Sequence, residues 1–149
     1  PLQHLGACVL GWTAPAVATT IAVDSTADDF DLGPNGNCTL REAVLAARRD
    51  RVIDRCPAGE AGSDTVLLEA GTYVLSIPGV GEDLGETGDL DLTGVTIQGA
   101  GAPSTIIDAN GIDRVADMAL GDPVRLLDLT VRGGSADVGG GLRSRVSAS

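Results

Sequence analysis

From Leu40 the apolar positions Leu40, Ala43, Val44 and Ala47 recur at i, i+3, i+4 and i+7, one stripe of a 3.6-residue period, while Arg41, Glu42, Arg48 and Arg49 fall mostly off it. Thr39 followed three residues later by Glu42 forms a capping box, in which each side chain satisfies the other residue's backbone amide. The pattern predicts a helix over Thr39 to about Arg49 with one short buried face. Around it the pattern changes. Thr20 to Val23 reads as a first strand, and the acidic, glycine- and proline-containing stretch Asp24 to Asn37 as a loop. Beyond Ser63, short strands are expected at 64–68 and 72–77 on either side of the turn Ala70-Gly71, with period-two apolar positions at Leu90, Leu92, Val95 and Ile97. Their phase slips by one at Thr93-Gly94, which predicts a bend between two sheet faces.

Two segments, Leu92 to Gly99 and Leu126 to Gly133, each end in apolar-Thr-apolar-polar-Gly, and between them lie a strand at Thr105 to Asp108 and a less clear one at 115–118. Repeated short strands, none able to bury its apolar side alone, predict a β-solenoid whose coils stack. The first coil of such a stack is an open end that needs a cover, and the Leu40 stripe suits that role. Gly139-Gly140-Gly141-Leu142 resembles the opening of another coil, whereas 143–149 lacks alternation and reads as an irregular tail. The organisation expected is therefore a leader at 1–18, a cap region at 19–63, coils at 64–142 and a tail at 143–149, a fragment of a longer solenoid whose open end could self-associate.

Composition narrows the function. The chain has 149 residues, 21 of them glycine, and its aromatics are Trp12, Phe30 and Tyr73 alone, so the core must be aliphatic. A net charge of −11 repels phosphate backbones and anionic headgroups, which argues against nucleic acid as a partner. The first 18 residues carry no charged side chain of the Asp, Glu, Lys or Arg type, and Ala16-Val17-Ala18 offers a small-x-small cleavage site, so an export signal is expected with no membrane span in the mature chain. Lipidation at Cys8 in Leu5-Gly6-Ala7-Cys8 is the rival reading of that leader. With the leader removed, Cys38 and Cys56 form an even pair in an acidic exported chain, which predicts a disulfide joining the helix start to the segment after its end.

Asn37-Cys38-Thr39-Leu40-Arg41-Glu42-Ala43-Val44 resembles the CSLREA motif, found near the N-terminus of secreted bacterial proteins that continue as right-handed parallel β-helices. The likeness extends through 23–29, Cys56-Pro57-Ala58-Gly59, Asp64-Thr65-Val66 and Ala70-Gly71-Thr72-Tyr73. It implies an all-β fold with one short capping helix, here the cap and first coils of a right-handed parallel β-helix. It also implies a secreted or cell-surface location and a structural or adhesive role toward a surface polysaccharide or a cell-surface ligand. It transfers no catalytic residue. The motif's usual serine is Thr39 here, which preserves the cap.

Candidate chemistry is sparse. Asp89 with Asp91, and Asp128 with Thr130 and Arg132, share strand faces and could serve a carbohydrate-active enzyme, a polysaccharide lyase or glycoside hydrolase. Solvated outward positions are the plainer reading of both sets in so acidic a chain, and catalytic residues are not assigned. Asp31, Asn35, Gly36 and Glu42 match several EF-hand positions, but Gly33 occupies the third and Glu42 belongs to the cap. A looser calcium site from Asp24, Asp28, Asp29 and Asp31 is the remaining metal candidate, and no other cofactor is expected. The mature chain has no histidine, so a nucleophile triad and a zinc centre have no support.

Overall fold

The computed structural model describes residues 17–30 and 35–145. The leader through Ala16, with Cys8, lies outside the described residues, as do Asp31, Gly33 and 146–149. The elements are β1 (Thr20–Ala22), α1 (Leu40–Arg49), β2 (Asp64–Leu67), β3 (Gly71–Val74), β4 (Leu90–Leu92), β5 (Val95–Gln98), β6 (Thr105–Asp108), β7 (Ala116–Met118), β8 (Arg125–Leu127), β9 (Thr130–Arg132) and β10 (Leu142–Ser144). The protein is thus mostly β with one short helix.

Every strand pairs in parallel, within three sheets of order β1-β2-β5-β8, β3-β6-β9 and β4-β7-β10. From β2 onward the chain visits the three sheets in a fixed rotation, so each circuit lies in register beside the one before it. Register produces an apolar column in each sheet. Ile21, Val66, Ile97 and Leu126 are successive partners in the first, Tyr73, Ile107 and Val131 in the second, and Leu90, Ala116 and Leu142 in the third. The inner members are almost wholly buried, each large aliphatic contributing about 1.5–3 kcal/mol relative to an exposed position. The outermost members Leu126 and Val131 are only half-buried, and Leu142 is exposed.

Three sequence expectations are revised. The two similar segments are not equivalent: Leu92 to Gly99 runs from β4 into β5 and Leu126 to Gly133 from β8 into β9, so Ile97 pairs with Leu126 rather than Val131. The likeness reflects the same corner chemistry used at different sides of the circuit, with Gly94 and Asp128 at left-handed φ values of 56° and 53°. The tail expected to be irregular from residue 143 instead contributes Arg143 and Ser144 to β10, because pairing with β7 and an Arg143–Asp117 ion pair define that strand rather than apolar alternation. The helix face is also broader than its stripe. Leu45 and Ala46 are buried, Ala47 is half-buried, and both Arg41 and Glu42 are enclosed.

The Thr39 side chain accepts from the Glu42 amide, and the Glu42 carboxylate accepts from the Thr39 amide at 3.0 Å. Asp50 ends the helix in a left-handed conformation, φ 47°. Cys38 and Cys56 are joined by a disulfide, their Cα atoms 4.9 Å apart, and so bind the helix start to the returning chain. The helix lies against β1, β2, β4 and β5 and covers one end of the stack.

Arg41 is fully buried for a specific reason. Its Nε and Nη2 donate to Asp28 at 2.7 and 3.1 Å, Nη2 also to the Gly88 carbonyl at 2.9 Å, and Nη1 to the carbonyls of Gly85 and Asp89 at 3.2 and 3.4 Å. Asp28 in turn accepts from the amides of Ser76 and Ile77 at 2.6 and 3.1 Å. Removing the cation strands a buried carboxylate. Arg41→Ala should therefore lower unfolding free energy by about 3–5 kcal/mol in urea melts, and the double variant with Asp28→Ala should cost less than the sum of the two single changes. Reduction of Cys38–Cys56 should cost about 3 kcal/mol for a loop of this size, read from paired melts with and without dithiothreitol.

Candidate functional site

Parallel pairing in register places Asp91 of β4 beside Asp117 of β7, and Asp117 beside Arg143 of β10. Within β4, Leu90 and Leu92 alternate with Asp91, so Asp91 points to the opposite side of the strand from the apolar column. That side is not solvated. The turn containing Gly85 crosses it, and Asp91 and Asp117 are only 7% and 2% exposed. Asp89, just before β4, is 2% exposed and receives Arg114 Nη1 at 3.1 Å. The expectation that Asp89 and Asp91 form a solvated face is thus corrected, because the 82–88 segment and α1 close over a position that alternation alone would leave outside.

The ladder sets two carboxylates one strand apart, and cations from the next circuit answer only one of them. Arg143 Nε donates to Asp117 Oδ2 at 3.1 Å, and Arg145 does so through Nε at 3.0 Å and Nη2 at 2.7 Å. Arg145 Nη2 also bonds Asp83 Oδ1. Arg48, from the last turn of α1, donates to the Asp83 carbonyl at 3.1 Å. Among the described residues, neither Asp91 Oδ2 nor Asp117 Oδ1 has a hydrogen-bond partner. One carboxylate oxygen from each of Asp83, Asp91 and Asp117 lies within 4.8 Å of the others. A cavity of about 240 Å³, lined by Arg48, Asp83, Asp91, Leu92, Thr93, Ala119 and Arg145, opens from this point.

The electrostatics separate the two neighbours. Burial, reinforced by the negative charge of Asp89, pushes Asp91 up to about 6. Burial also works to raise Asp117, but hydrogen bonds and charge from Arg143 and Arg145 outweigh it and take that carboxyl down to about 2. Asp89 is raised, mainly by burial, against the opposing bond from Arg114.

The other sequence candidates sit elsewhere. Asp24 accepts from the Cys38 amide at 2.7 Å, Asp28 is held by Arg41, and Asp29 Oδ2 accepts from the amide groups of Asn35 and Asn37 at 3.1 and 3.3 Å. Among the described residues these three do not converge; the carboxylates that do are Asp83, Asp91 and Asp117. Asp31 lies outside the described residues, and Glu42 is engaged in its cap. Thr130 and Arg132 share the outward face of β9, but Asp128 does not, because it occupies the corner before that strand; Asp128 accepts from Gln98 at 2.8 Å, Thr130 donates to the Ala102 carbonyl at 2.6 Å, and Arg132 pairs with Asp108 at 2.7 Å. Sequence reading missed Asp83 and Asp117 because only the circuit length, which the irregular turns conceal, brings them to Asp91.

The opposed shifts give a pH signature. A raised Asp91 contributes stability that is complete below the ordinary value of 3.8 and is lost as pH rises through about 6, whereas a lowered Asp117 contributes stability present above 3.8 and lost as pH falls toward 2. These contributions together should therefore peak near pH 4, with stability falling as pH drops toward 2 and as it rises from there to about 6. Asp91→Asn, which mimics the protonated side chain, should match the parent below about pH 3.8 and exceed it by about 1–3 kcal/mol at pH 7.5 in chelator-treated urea melts. Comparison of the chain with protein-family models, with curated proteins and with solved structures returns no match, so the functional reading rests on its own residues.

Proposed function

We propose that the chain is the capped first part of a right-handed parallel β-helix, related to the proteins that carry the CSLREA-type motif, and that it acts as a non-enzymatic extracellular or cell-surface structural module. The observation that carries the reading is the fixed rotation of the strands through three parallel sheets, with α1 covering one end. The Cys38–Cys56 disulfide supports an oxidising compartment. No helix among the described residues is long and apolar enough to cross a membrane. At the end away from α1, the outermost strands β8, β9 and β10 pair on one side only among the described residues, and they expose Leu127 and Leu142. Such edges suit a further circuit or a second copy, and the adhesive role toward a surface polysaccharide or cell-surface ligand belongs to the same reading.

A second reading draws on the opposed carboxyls. Asp91 at about 6 and Asp117 at about 2 have the separation of a proton donor and an ionised partner in glycoside chemistry. Arg143 and Arg145 already engage Asp117, and among the described residues no aromatic side chain lines the adjoining cavity to stack a sugar ring.

Antibody labelling of intact producing cells, combined with thiol alkylation, tests the first reading. Surface or medium labelling with Cys38 and Cys56 protected from alkylation is expected; cytosolic, alkylatable protein overturns it. Incubation with polyuronides and neutral glycans should release no unsaturated or reducing ends. Release that disappears in Asp91→Asn would instead establish the enzyme.

A further inference from the structure

We propose that Asp83, Asp91 and Asp117 form a binding site for a hard divalent cation, calcium in preference to magnesium, in which the Arg145 side chain is the resident competitor.

Three observations converge. The first is spacing: calcium binds oxygen at about 2.3–2.6 Å, so oxygens on opposite sides of one ion lie about 4.6–5.2 Å apart. The three carboxylate oxygens, all within 4.8 Å of one another, fit around a single ion of that size. Magnesium requires shorter bonds and near-ideal octahedral geometry, which a turn residue and two adjacent strands supply less readily. The donors are carboxylates alone, which select hard ions over zinc or copper.

The second observation is an unmet oxygen. Asp91 is 7% exposed, lines the cavity, and its Oδ2 has no hydrogen-bond partner among the described residues. An ionised oxygen buried without a partner costs several kcal/mol. Arg145 bonds Asp83 and Asp117 but makes no hydrogen bond to Asp91, and Asp117 Oδ1 is also unpartnered. A guanidinium is planar and directs its N–H groups along fixed axes, whereas a spherical ion can reach all three acids at once.

The third is access. Arg145 is anchored through its backbone, which donates to the Met118 carbonyl at 3.0 Å, while its side chain is 38% exposed and can turn into solvent. Arg143 would keep its pair with Asp117 when Arg145 leaves. The cavity of about 240 Å³ is lined by Asp83 and Asp91 and gives room for the water ligands calcium retains. Arg48 also lines it and opposes the ion, which places the expected affinity in the weaker, extracellular range of about 10⁻⁴–10⁻³ M.

The test is calorimetry of the full chain with calcium chloride after chelation, alongside thermal melts of the same samples. One calcium per chain and a melting temperature that rises with calcium are expected. Asp91→Asn should weaken binding about tenfold or more, while Arg145→Gln, which removes the competitor and leaves the three acids, should tighten it about tenfold. Magnesium should bind more weakly than calcium in every case. Absence of binding at millimolar calcium in both the parent and Arg145→Gln overturns the proposal. So does parent-like binding by Asp91→Asn, or a weakening in Arg145→Gln with an unchanged far-ultraviolet circular dichroism spectrum.

Discussion

The buried pair between Arg41 and Asp28 is the constraint on which the arrangement of the cap depends. A guanidinium with no solvent contact must place all its donors, and here they reach a carboxylate and three carbonyls from the turn before β4. Those carbonyls belong to an irregular segment that has no sheet partner of its own, so without Arg41 they would be buried and unpaired. Asp28 extends the connection to the amides of Ser76 and Ile77 after β3. One ion pair thereby ties the acidic loop, the helix, the end of β3 and the entry to β4, four segments far apart in sequence. The disulfide performs a complementary task by closing the helix start onto the chain that leaves it.

With the cap in place, parallel register does the rest. Each circuit presents an apolar residue to the same place in its sheet, and columns such as Ile21, Val66, Ile97 and Leu126 bury side chains that no single short strand could bury alone. The capped end and the opposite end consequently differ. At the helix end α1 packs on β1, β2, β4 and β5, strands of two of the three sheets, while at β8, β9 and β10 the columns finish on half-buried or exposed residues.

The same register that concentrates apolar side chains also concentrates charge. Stacking in parallel makes neighbours of Asp91 and Asp117, an arrangement that repels unless something intervenes. On the β10 side the intervention is Arg143 and Arg145, which hold Asp117 ionised; on the helix side the covering turn removes water from Asp91 without supplying a donor to its Oδ2. Two residues of one type, one strand apart, thus end with opposite tendencies because they face different circuits.

Local chemistry in the chain was enough for the local elements. The helix limits, the Thr39 and Glu42 cap, the Cys38–Cys56 pair and the change of hydrophobic period after residue 63 all depend on residues close in sequence or on a choice of one pair, and each can be read directly. Arg41 could not be, because a residue off the apolar stripe is buried only when a distant turn brings carbonyls to it. The acidic ladder was equally hidden: Asp83, Asp91 and Asp117 become neighbours through the length of a circuit, and irregular corners such as those at Gly94 and Asp128 leave no fixed period to count. Hydrophobic alternation decides which side of a strand faces the core. Whether the other side meets water or a second layer of chain is decided only when the turns fold back over it.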